Sequence, residues 1–330
     1  MNTAPTPATL SSVGERAAID AMLEHMPSSR NGDDAAVLPV LAPNSRTVVS
    51  TDTLVEGRHF RLDWSTPYDV GVKAITQNFA DIEAMGARPI AALLAISAPG
   101  TTELSVLTEL ARGVGDSVER YSAQTVGGDL CSADSIIIGV TAIGVIGGSM
   151  SALTLDGARP GQRLVAAGRI GYSAAGLALL NYFGPDELPL GFDALIDAHC
   201  APTIPIGRGV VARATGATAM TDNSDGLVHD LNTMAERSDV HIDLSRQAIA
   251  PDALMIAAGR AVGTDPWEWV LHGGEDHTLL ACINKPTPSG FRTIGKILST
   301  QNNQQAQTHA HSRITLDSQP VQPHGWDSFA

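Results

Sequence analysis

One segment of the sequence carries both the start signal and the stop signal of a long helix. In "STPYDVGVKAITQNFADIEAMGARP", Thr66 stands at the N-cap position, Pro67 at the first helical position, and Asp69 where it completes a capping box. Gly86 ends the helical pattern and Pro89 lies beyond it. The segment therefore predicts a helix from about residue 66 to residue 86, between two strands.

Strands and helices alternate loosely along the rest of the chain. The β-branched run "TVVST" predicts a strand before the long helix, and "IAALLAISA" predicts a buried strand after it. Gly and Pro residues around 156–161 predict a junction between domains. The connections do not enforce a parallel doubly wound sheet, so we predict a mixed α+β fold with two domains, residues 1–150 and 151–330. Further strands are predicted at 123–128, 135–146, 163–167, 241–244, 278–283 and 292–298, with a short strand that begins at 217, and further helices begin near 12, 102, 173, 206, 224 and 251.

The composition predicts a folded protein with a sizeable core. Of the 330 residues, 43% are apolar and 17% are charged. The net charge is -14, from 21 Lys+Arg against 35 Asp+Glu. This balance argues against non-specific nucleic-acid binding, because that binding depends on clustered cations that face phosphates. A phosphorylated substrate remains compatible with the acidic balance, since bound metal ions can reverse the local sign of the charge.

Cysteines and apolar runs indicate the compartment. Cys131, Cys200 and Cys282 are far apart and form no C-x-x-C pair, so we expect neither a disulfide framework nor a zinc site. The first ten residues, "MNTAPTPATL", show no signal-peptide pattern, and the longest apolar run, residues 136–148, is too short to span a bilayer. We therefore expect a cytoplasmic protein with no membrane partner.

Several familiar catalytic motifs are absent or incomplete. The sequence has no G-x-x-x-x-G-K-[ST] loop and no G-x-G-x-x-G between a strand and a helix. Ser173 in "GYSAA" falls short of a nucleophile elbow, because Ala175 occupies the place of the second glycine, and we interpret Ser173 as a helix N-cap. His199 and Cys200 are interpreted as packing residues. No protein nucleophile is therefore predicted.

Acidic residues beside Gly, Ser or Thr are the unusual feature of the sequence. One of them, Asp81, lies in the long helix on a face that includes Ala74, which is a poor place for a free charge. Each acid alone could be a turn or capping residue. Because Mg²⁺ prefers oxygen ligands and small neighbours let phosphates approach the backbone, the acids together predict a site for metal ions and phosphates. The six motifs are "NGDDAAVL", "STDTLVEGRHF", "NFADIEAMGARP", "VGGDLCSAD", "TDNSDGLVHDL" and "HGGEDHTLL".

In order and spacing, these motifs resemble those of the thiamine-monophosphate kinase family, which belongs to the superfamily of aminoimidazole ribonucleotide synthetase. The resemblance runs from about Gly32 to Phe329, nearly the whole chain. It implies transfer of the γ-phosphoryl group of ATP onto thiamine monophosphate, with several Mg²⁺ ions as cofactors. It also implies a homodimer: the N-terminal domain contributes strands to a barrel across two subunits, and the C-terminal domain closes over the active site.

The resemblance implies roles for individual residues. Of the adjacent acids in "NGDDAAVL", Asp34 matches a metal-ligand position, and Asp33 serves the turn or supports the metal ligands. Trp326 in "GWDSF" is suited to stack on a cationic or aromatic ring. The implied metal ligands are Asp34, Ser50, Thr51, Asp52, Asp81, Asp129, Asp222 and Asp225; the implied nucleotide contacts are Tyr121, Gly128, Asp129 and Ser224; the implied contacts to thiamine monophosphate are His59, Glu275 and Trp326.

Departures from the family pattern keep a second interpretation open. The residues "LCS" follow "VGGD" where the family usually has Thr-Thr-Arg, Leu155 aligns with a nucleotide-contacting Arg, and His277 replaces a more usual Tyr. The alternative is a non-catalytic or altered-activity relative that binds Mg-nucleotide. Retention of every acid at the metal positions favours the kinase, because clustered carboxylates are costly to keep without a function.

Overall fold

Two β-sheets organise the described part of the chain, which comprises residues 7–28, 43–284, 286–300 and 312–326 of a computed structural model. The first sheet has the strand order β1-β4-β2-β3 and the second has the order β11-β10-β7-β9-β5-β8-β6. The first contains β1 (Arg46–Val55), β2 (Arg88–Ala98), β3 (Gln124–Ser132) and β4 (Ile137–Ile146); the second contains β5 (Arg163–Ala167), β6 (Ala217–Thr221), β7 (Val240–Leu244), β8 (Leu279–Ile283), β9 (Arg292–Ser299), β10 (Ile314–Leu316) and β11 (Gln319–Pro320).

Helices pack on both sheets, and the sheets mix parallel with antiparallel pairs, as in β2–β3 against β2–β4. The mixed α+β class expected from the sequence is therefore confirmed. The helices are α1 (Leu10–Val13), α2 (Glu15–Leu23), α3 (Pro67–Ala84), α4 (Leu104–Arg120), α5 (Tyr172–Phe183), α6 (Asp193–Cys200), α7 (Arg208–Ala214), α8 (Leu227–Ser238), α9 (Ala253–Val262) and α10 (Pro266–His272), with a short 3-10 turn at Leu155–Gly157. None of the helices in the described ranges combines the length and the apolar composition that crossing a bilayer would require.

The predicted capping of α3 is confirmed. The Thr66 N–H donates to Asp69 Oδ2 over 3.0 Å, the Asp69 N–H donates to Thr66 Oγ1 over 3.2 Å, and Pro67 begins the helix. The helix ends at Ala84, followed by Gly86 with a φ of 70°. A residue with a side chain is strained in that conformation, so this glycine stops the helix where the sequence indicated, within two residues.

Two local predictions were wrong. Ser12 and Glu15 have the spacing of a capping box, but Ser12 does not cap the first helix: the Thr9 N–H donates to Ser12 Oγ over 2.9 Å, so Thr9 precedes the helix and Ser12 lies inside α1. Helix α8 begins at Leu227 rather than near residue 224, because the loop before it turns through Gly226 at a φ of 133°. Helices α6 and α10 were not predicted. The polar, low-complexity segment "STQNNQQAQTHAHS", which predicts a loop, falls largely at 301–311, outside the described residues.

The first sheet has one covered face and one open face. Side chains alternate along β1, so that Ser50, Asp52 and Leu54 face α3 while Val49 and Thr51 face away. Helix α3 packs on β1, β2 and β4, and α4 packs on β3. Val49, on the open face, is 60% exposed. The described strands do not close into a barrel.

Helix α3 contacts both sheets. Its C-terminal end packs against β6 and β8 of the second sheet, where Ala84 joins a small apolar cluster with Met220 and Leu279. The buried Glu83 carboxylate accepts the N–H groups of Gly207 over 2.6 Å and Gly209 over 2.7 Å. These contacts set α3 between the two sheets, with its side chains lining the space where the sheets meet.

Candidate active site

A cavity of about 580 Å³ lies where the two halves of the chain meet. Residues of β1, the loop after it and α3 form one wall. Residues of α5, the loop after β6, the loop before β8 and the C-terminal segment form the other. The lining includes Asp52, His59, Asp81, Asp222, Ser224, Asp225, Glu275 and Trp326, all of them expected at the site from the sequence.

One end of the cavity is acidic, and α3 and β1 supply its first wall. Ser50 Oγ donates to Asp81 Oδ2 over 2.5 Å, and the Asp52 N–H donates to Asn78 Oδ1 over 2.9 Å. The side chain of Thr51 lies on the opposite face of β1, where its hydroxyl donates to the carbonyl of Val140 over 2.9 Å. Side-chain alternation thus brings Asp52 to the cavity and Ser50 to Asp81, and it points the Thr51 hydroxyl away.

The loop after β6 supplies the second acidic wall. Asp222 is buried, and its Oδ2 lies 3.0 Å from Nδ1 of the buried His277. Burial lowers the pKa of His277, but the hydrogen bond and the charge of Asp222 outweigh it, so the pKa is raised overall. The Nε2 atom of His277 is buried and has no hydrogen-bond partner among the described residues. At the position where the sequence comparison expects Tyr, this chain therefore holds an imidazole against a site acid.

The acids influence one another across the cavity. Burial raises the pKa of Asp81 to about 7, and the charges of Asp222 and Asp52 add to the increase. Burial also raises the pKa of Asp225. Like charges in one desolvated site disfavour ionisation, and a bound cation would relieve that penalty.

A second group of possible ligands stands at the start of α8. Oxygen and nitrogen atoms of Asp225, His229 and Asp230 lie within 4.8 Å of one another. Asp230 Oδ2 accepts the N–H groups of Asp225 and Gly226, each over 3.1 Å. Burial first, then the charges of Asp222 and Asp225, raise the pKa of Asp230 to about 8. Asp230 therefore holds the loop that carries Asp225.

The other end of the cavity is aromatic. The rings of His59 and Trp326 meet edge-on with centroids 6.5 Å apart. The ring of Trp64 lies 6.5 Å from that of His199, and the Arg61 guanidinium lies 4.2 Å above Trp64. Aromatic faces and one nearby carboxylate suit a cationic or heteroaromatic ligand.

The carboxylate at the aromatic end belongs to Glu275. Its Oε1 lies 2.8 Å from Nζ of the buried Lys73, and its Oε2 lies 3.4 Å from Nδ1 of His199. The neighbouring Asp276 points the other way and accepts the N–H groups of Gly171 and Ser173 at the start of α5. Of the two acids in "GGED", Glu275 thus lines the cavity and Asp276 caps the N-terminus of α5.

The interpretation of Ser173 as a helix N-cap was wrong, and the interpretation of His199 as a packing residue was correct only for its burial. The N-cap of α5 is Gly171, and Asp276 supplies the capping oxygen, while the Ser173 hydroxyl lies 3.3 Å from His199 Nδ1. His199 is buried but lines the cavity. The sequence reasoning also missed Lys73, Arg61 and Trp64. A signal for Lys73 was available: with Gln77 and Asp81 it forms an i, i+4, i+8 polar row on a largely buried helix.

Some expected site residues do not lie at the cavity. Asp34 falls outside the described residues. Gly128 is in register with Asp52 across the sheet, through Val140 and Leu94, so the two are about 14 Å apart along the sheet. The exposed Asp129 follows Gly128 on β3. Tyr121 packs in the first core, with its ring 5.0 Å from that of Phe79.

Two of the departures from the family pattern lie in packed positions. Leu155 packs against the core of the second half, and Leu130 is buried in the core of the first. Neither side chain lines the cavity described above. The hydrophobic contacts explain why apolar residues are stable at these two positions.

Comparison with known proteins identifies the family. The chain is 57% identical to thiamine-monophosphate kinase of Corynebacterium glutamicum over 322 residues, which cover 97% of this chain and 95% of the relative. The chain belongs to the thiamine-monophosphate kinase family. Within that family, it is 45% identical to the enzyme of Mycobacterium tuberculosis H37Rv over 328 residues, with 97% of this chain and 93% of the relative covered.

A family model and a solved structure agree with this assignment. Residues 32–146 match the model for AIR synthase related protein, N-terminal domain. The solved structure of AaThiL complexed with AMPPCP and TMP superposes with a TM-score of 0.77 at 30% identity, and the match covers 100% of both chains. The described part of the chain thus has the fold of the thiamine-monophosphate kinase family.

Proposed function

We propose that the protein transfers the γ-phosphoryl group of ATP to thiamine monophosphate, which gives thiamine diphosphate and ADP. One observation carries the proposal: acids from both halves of the chain line one end of a single cavity whose other end is aromatic. The first end suits metal-bound phosphates and the second suits the rings of thiamine. Names of relatives at 57% and 45% identity support the same activity.

The donor set at the acidic end fits Mg²⁺. The side chains of Asp52, Asp81, Asp222 and Asp225 offer hard oxygen ligands, and the raised pKa of Asp81 indicates a site in which negative charge lacks compensation. We infer that these four acids, with Ser50 and a Thr51 backbone oxygen, hold several ions, and that Asp34 and Asp129 contribute. Bound Mg²⁺ supplies neutralisation of the charge on two phosphorylated substrates.

The protein residues orient the reactants and do not form a covalent intermediate. An oxygen of the acceptor phosphate bonds to the γ-phosphorus of ATP, and the bond from that phosphorus to the ADP oxygen breaks. A phosphate monoester is largely ionised at neutral pH, so the acceptor oxygen needs no strong general base. His59, Glu275 and Trp326 are proposed to hold the thiamine rings, and Tyr121, Gly128, Asp129 and Ser224 to form the nucleotide region.

The separation between Asp52 and Gly128 supports at least two separate metal sites. About 14 Å along the sheet is too far for one ion, because Mg²⁺ lies only about 2.1 Å from each ligand. Asp129 is therefore proposed to act on a different part of the phosphate chain from Asp81 and Asp222.

We also propose that residues 1–150 and 151–330 are separate domains and that the first domain forms a barrel with a second subunit. The open face of the first sheet supports dimerisation, because Val49 and Ile143 are paired on it and Val49 is largely exposed. The protein is proposed to work in the reducing cytoplasm, in agreement with its three free cysteines.

The activity is tested by incubating the protein with Mg-ATP and thiamine monophosphate and quantifying both ADP and thiamine diphosphate. The variants Asp52→Asn and Asp222→Asn are expected to lower kcat at least 100-fold, whereas Asp186→Asn, at an exposed position outside the cavity, keeps wild-type turnover. Wild-type protein that binds ATP but forms no thiamine diphosphate at any Mg²⁺ concentration would overturn the proposal and favour the non-catalytic Mg-nucleotide-binding alternative.

A further inference from the structure

Lys73 is a buried charge in a helix that has no structural need for one. Its side chain is 1% exposed, and its helix neighbours Val72, Ala74 and Ile75 are buried and apolar. Its Nζ contacts Glu275 Oε1 at 2.8 Å and donates to the carbonyl of His59 over 2.9 Å. A buried ion pair rarely stabilises a fold more than a well-packed apolar pair, so stability alone does not account for this lysine.

The conformation of Glu275 is held from several directions. Its backbone has a φ of 62°, which is strained for a residue with a Cβ atom, and its N–H donates to the Ser224 carbonyl over 2.7 Å. Lys73 and His199 contact one carboxylate oxygen each. The side chain nevertheless remains 30% exposed and lines the cavity. Strain that persists in this way is typical of a group held in place for a ligand.

Lys73 also holds the loop that carries His59. The carbonyl of His59 accepts from its ammonium group, and the ring of His59 is oriented by the Val55 N–H, which donates to Nδ1 over 3.0 Å. Because Nδ1 is an acceptor, the ring proton lies on Nε2. One ammonium group thus binds the His59 loop of the first half and the Glu275 loop of the second.

We infer that Lys73 is a positioning residue for the acceptor substrate. It does not line the cavity, and it acts by setting His59 and Glu275 at the aromatic end. His199 also helps to position Glu275, through its contact with the second carboxylate oxygen. This inference rests on the proposed function, since it assigns the aromatic end to the acceptor rather than to ATP. A merely structural lysine affects both substrates alike, whereas a positioning lysine affects the acceptor selectively.

The test is a double-mutant cycle on purified full-length protein. Lys73→Met, Glu275→Gln and the double variant are compared with wild type by KM for thiamine monophosphate, KM for ATP, and kcat. Lys73→Met is expected to raise KM for thiamine monophosphate at least tenfold, with KM for ATP within twofold of wild type. The double variant is expected to match Glu275→Gln alone, because effects through a shared partner are not additive.

Two further variants make the result decisive. Lys296→Met removes an exposed lysine that pairs with the buried Asp243, away from the cavity, and is expected to change neither KM. Should Lys73→Met fail to fold, as judged by its thermal transition, His199→Gln takes its place, because it loosens Glu275 without leaving a new unpaired charge. It is expected to raise KM for thiamine monophosphate at least threefold and to leave KM for ATP unchanged.

The outcomes separate this inference from the proposed function. Three results overturn the positioning role. They are an unchanged KM for thiamine monophosphate in whichever of Lys73→Met and His199→Gln folds, equal rises of both KM values, and additive effects in the cycle. Wild-type protein that forms no thiamine diphosphate overturns the proposed function itself. Normal wild-type turnover with insensitive variants overturns the positioning role alone.

Discussion

The backbone N–H of Trp326 donates to the carbonyl oxygen of Asp225 over 2.9 Å. The same oxygen would lie 2.6 Å from a Cβ atom placed on Gly325, so only glycine lets the chain pass this close. The contact seats the C-terminal segment on the loop that carries Asp222 and Asp225, and it brings the Trp326 ring to His59. One segment therefore touches both ends of the cavity.

Substitution of Trp326 is expected to weaken acceptor binding. Trp326→Ala should raise KM for thiamine monophosphate about tenfold, because a ring contact of this kind contributes about 1–2 kcal/mol. Trp326→Phe should retain most of the affinity. Steady-state kinetics at saturating Mg-ATP measure both. The control Trp267→Ala removes a tryptophan that does not line the cavity, and a comparable rise there would contradict the assignment.

His199 predicts a loss of stability in acid. Burial first, then the charge of Lys73, lowers its pKa from 6.5 to about 4, so the folded protein binds fewer protons than the unfolded chain between these values. Stability contributed by the neutral imidazole is therefore present above pH 6.5 and lost as the pH falls toward 4, by up to ~3 kcal/mol.

The measurement is the free energy of unfolding in urea at several pH values from 4 to 7.5. His199→Gln should flatten the dependence in that window, while His25→Gln, at an exposed position, should leave it as in wild type. An equally steep loss in His199→Gln would show that another group dominates.

Glu83 is expected to stabilise the fold rather than the reaction. Glu83→Ala removes a buried acceptor from two backbone donors, Gly207 and Gly209, and should lower the free energy of unfolding by about 3 kcal/mol. Glu83→Gln, which keeps one acceptor oxygen, should lose less. Denaturant melts measure both variants. The control is Glu109→Ala, which removes an exposed ion pair with Arg112 and should lower the free energy of unfolding by less than about 1 kcal/mol. Equal losses at Glu83 and Glu109 would contradict the role of the buried carboxylate.

The open face of the first sheet predicts the effect of a charge on assembly. Val49→Arg introduces a cation among apolar side chains of the proposed subunit contact, and it should convert a dimer into a monomer. Light scattering after size exclusion measures the mass. Leu190→Arg places the same charge at a fully exposed residue and should leave the mass unchanged. A dimeric Val49→Arg protein would argue for a different interface.

The sequence predicted those features whose causes are local. The capping box at Thr66 and Asp69 lies within four residues, and side-chain alternation in β1 follows from its own sequence, so α3 and β1 were correct. The start of α10 had a comparable signal, with Asp265 as N-cap and Pro266 next, and was missed only because the apolar run is short. The set of acids at the cavity came from motifs rather than from physical reasoning about distance.

Features that depend on distant partners were not predictable from the sequence in this way. The sequence around Lys73 does not identify Glu275 as its partner, and the sequence around Ser173 does not indicate that Asp276 caps α5. His199 resembles a packing residue by its neighbours, and only the tertiary fold turns it toward the cavity. Such contacts follow from how the two sheets meet, which local propensity does not determine.

The position of α3 between the two sheets limits where two homologous sequences can be recombined into an active chimera. Gln77 and Asp81 of this helix line the cavity, Lys73 holds the Glu275 loop, and Glu83 fastens the second half. A recombination crossover near residue 150 would pair one parent's α3 with the other parent's Glu275 loop and Gly207–Gly209 turn. We therefore expect an active chimera to take all three pieces from one parent.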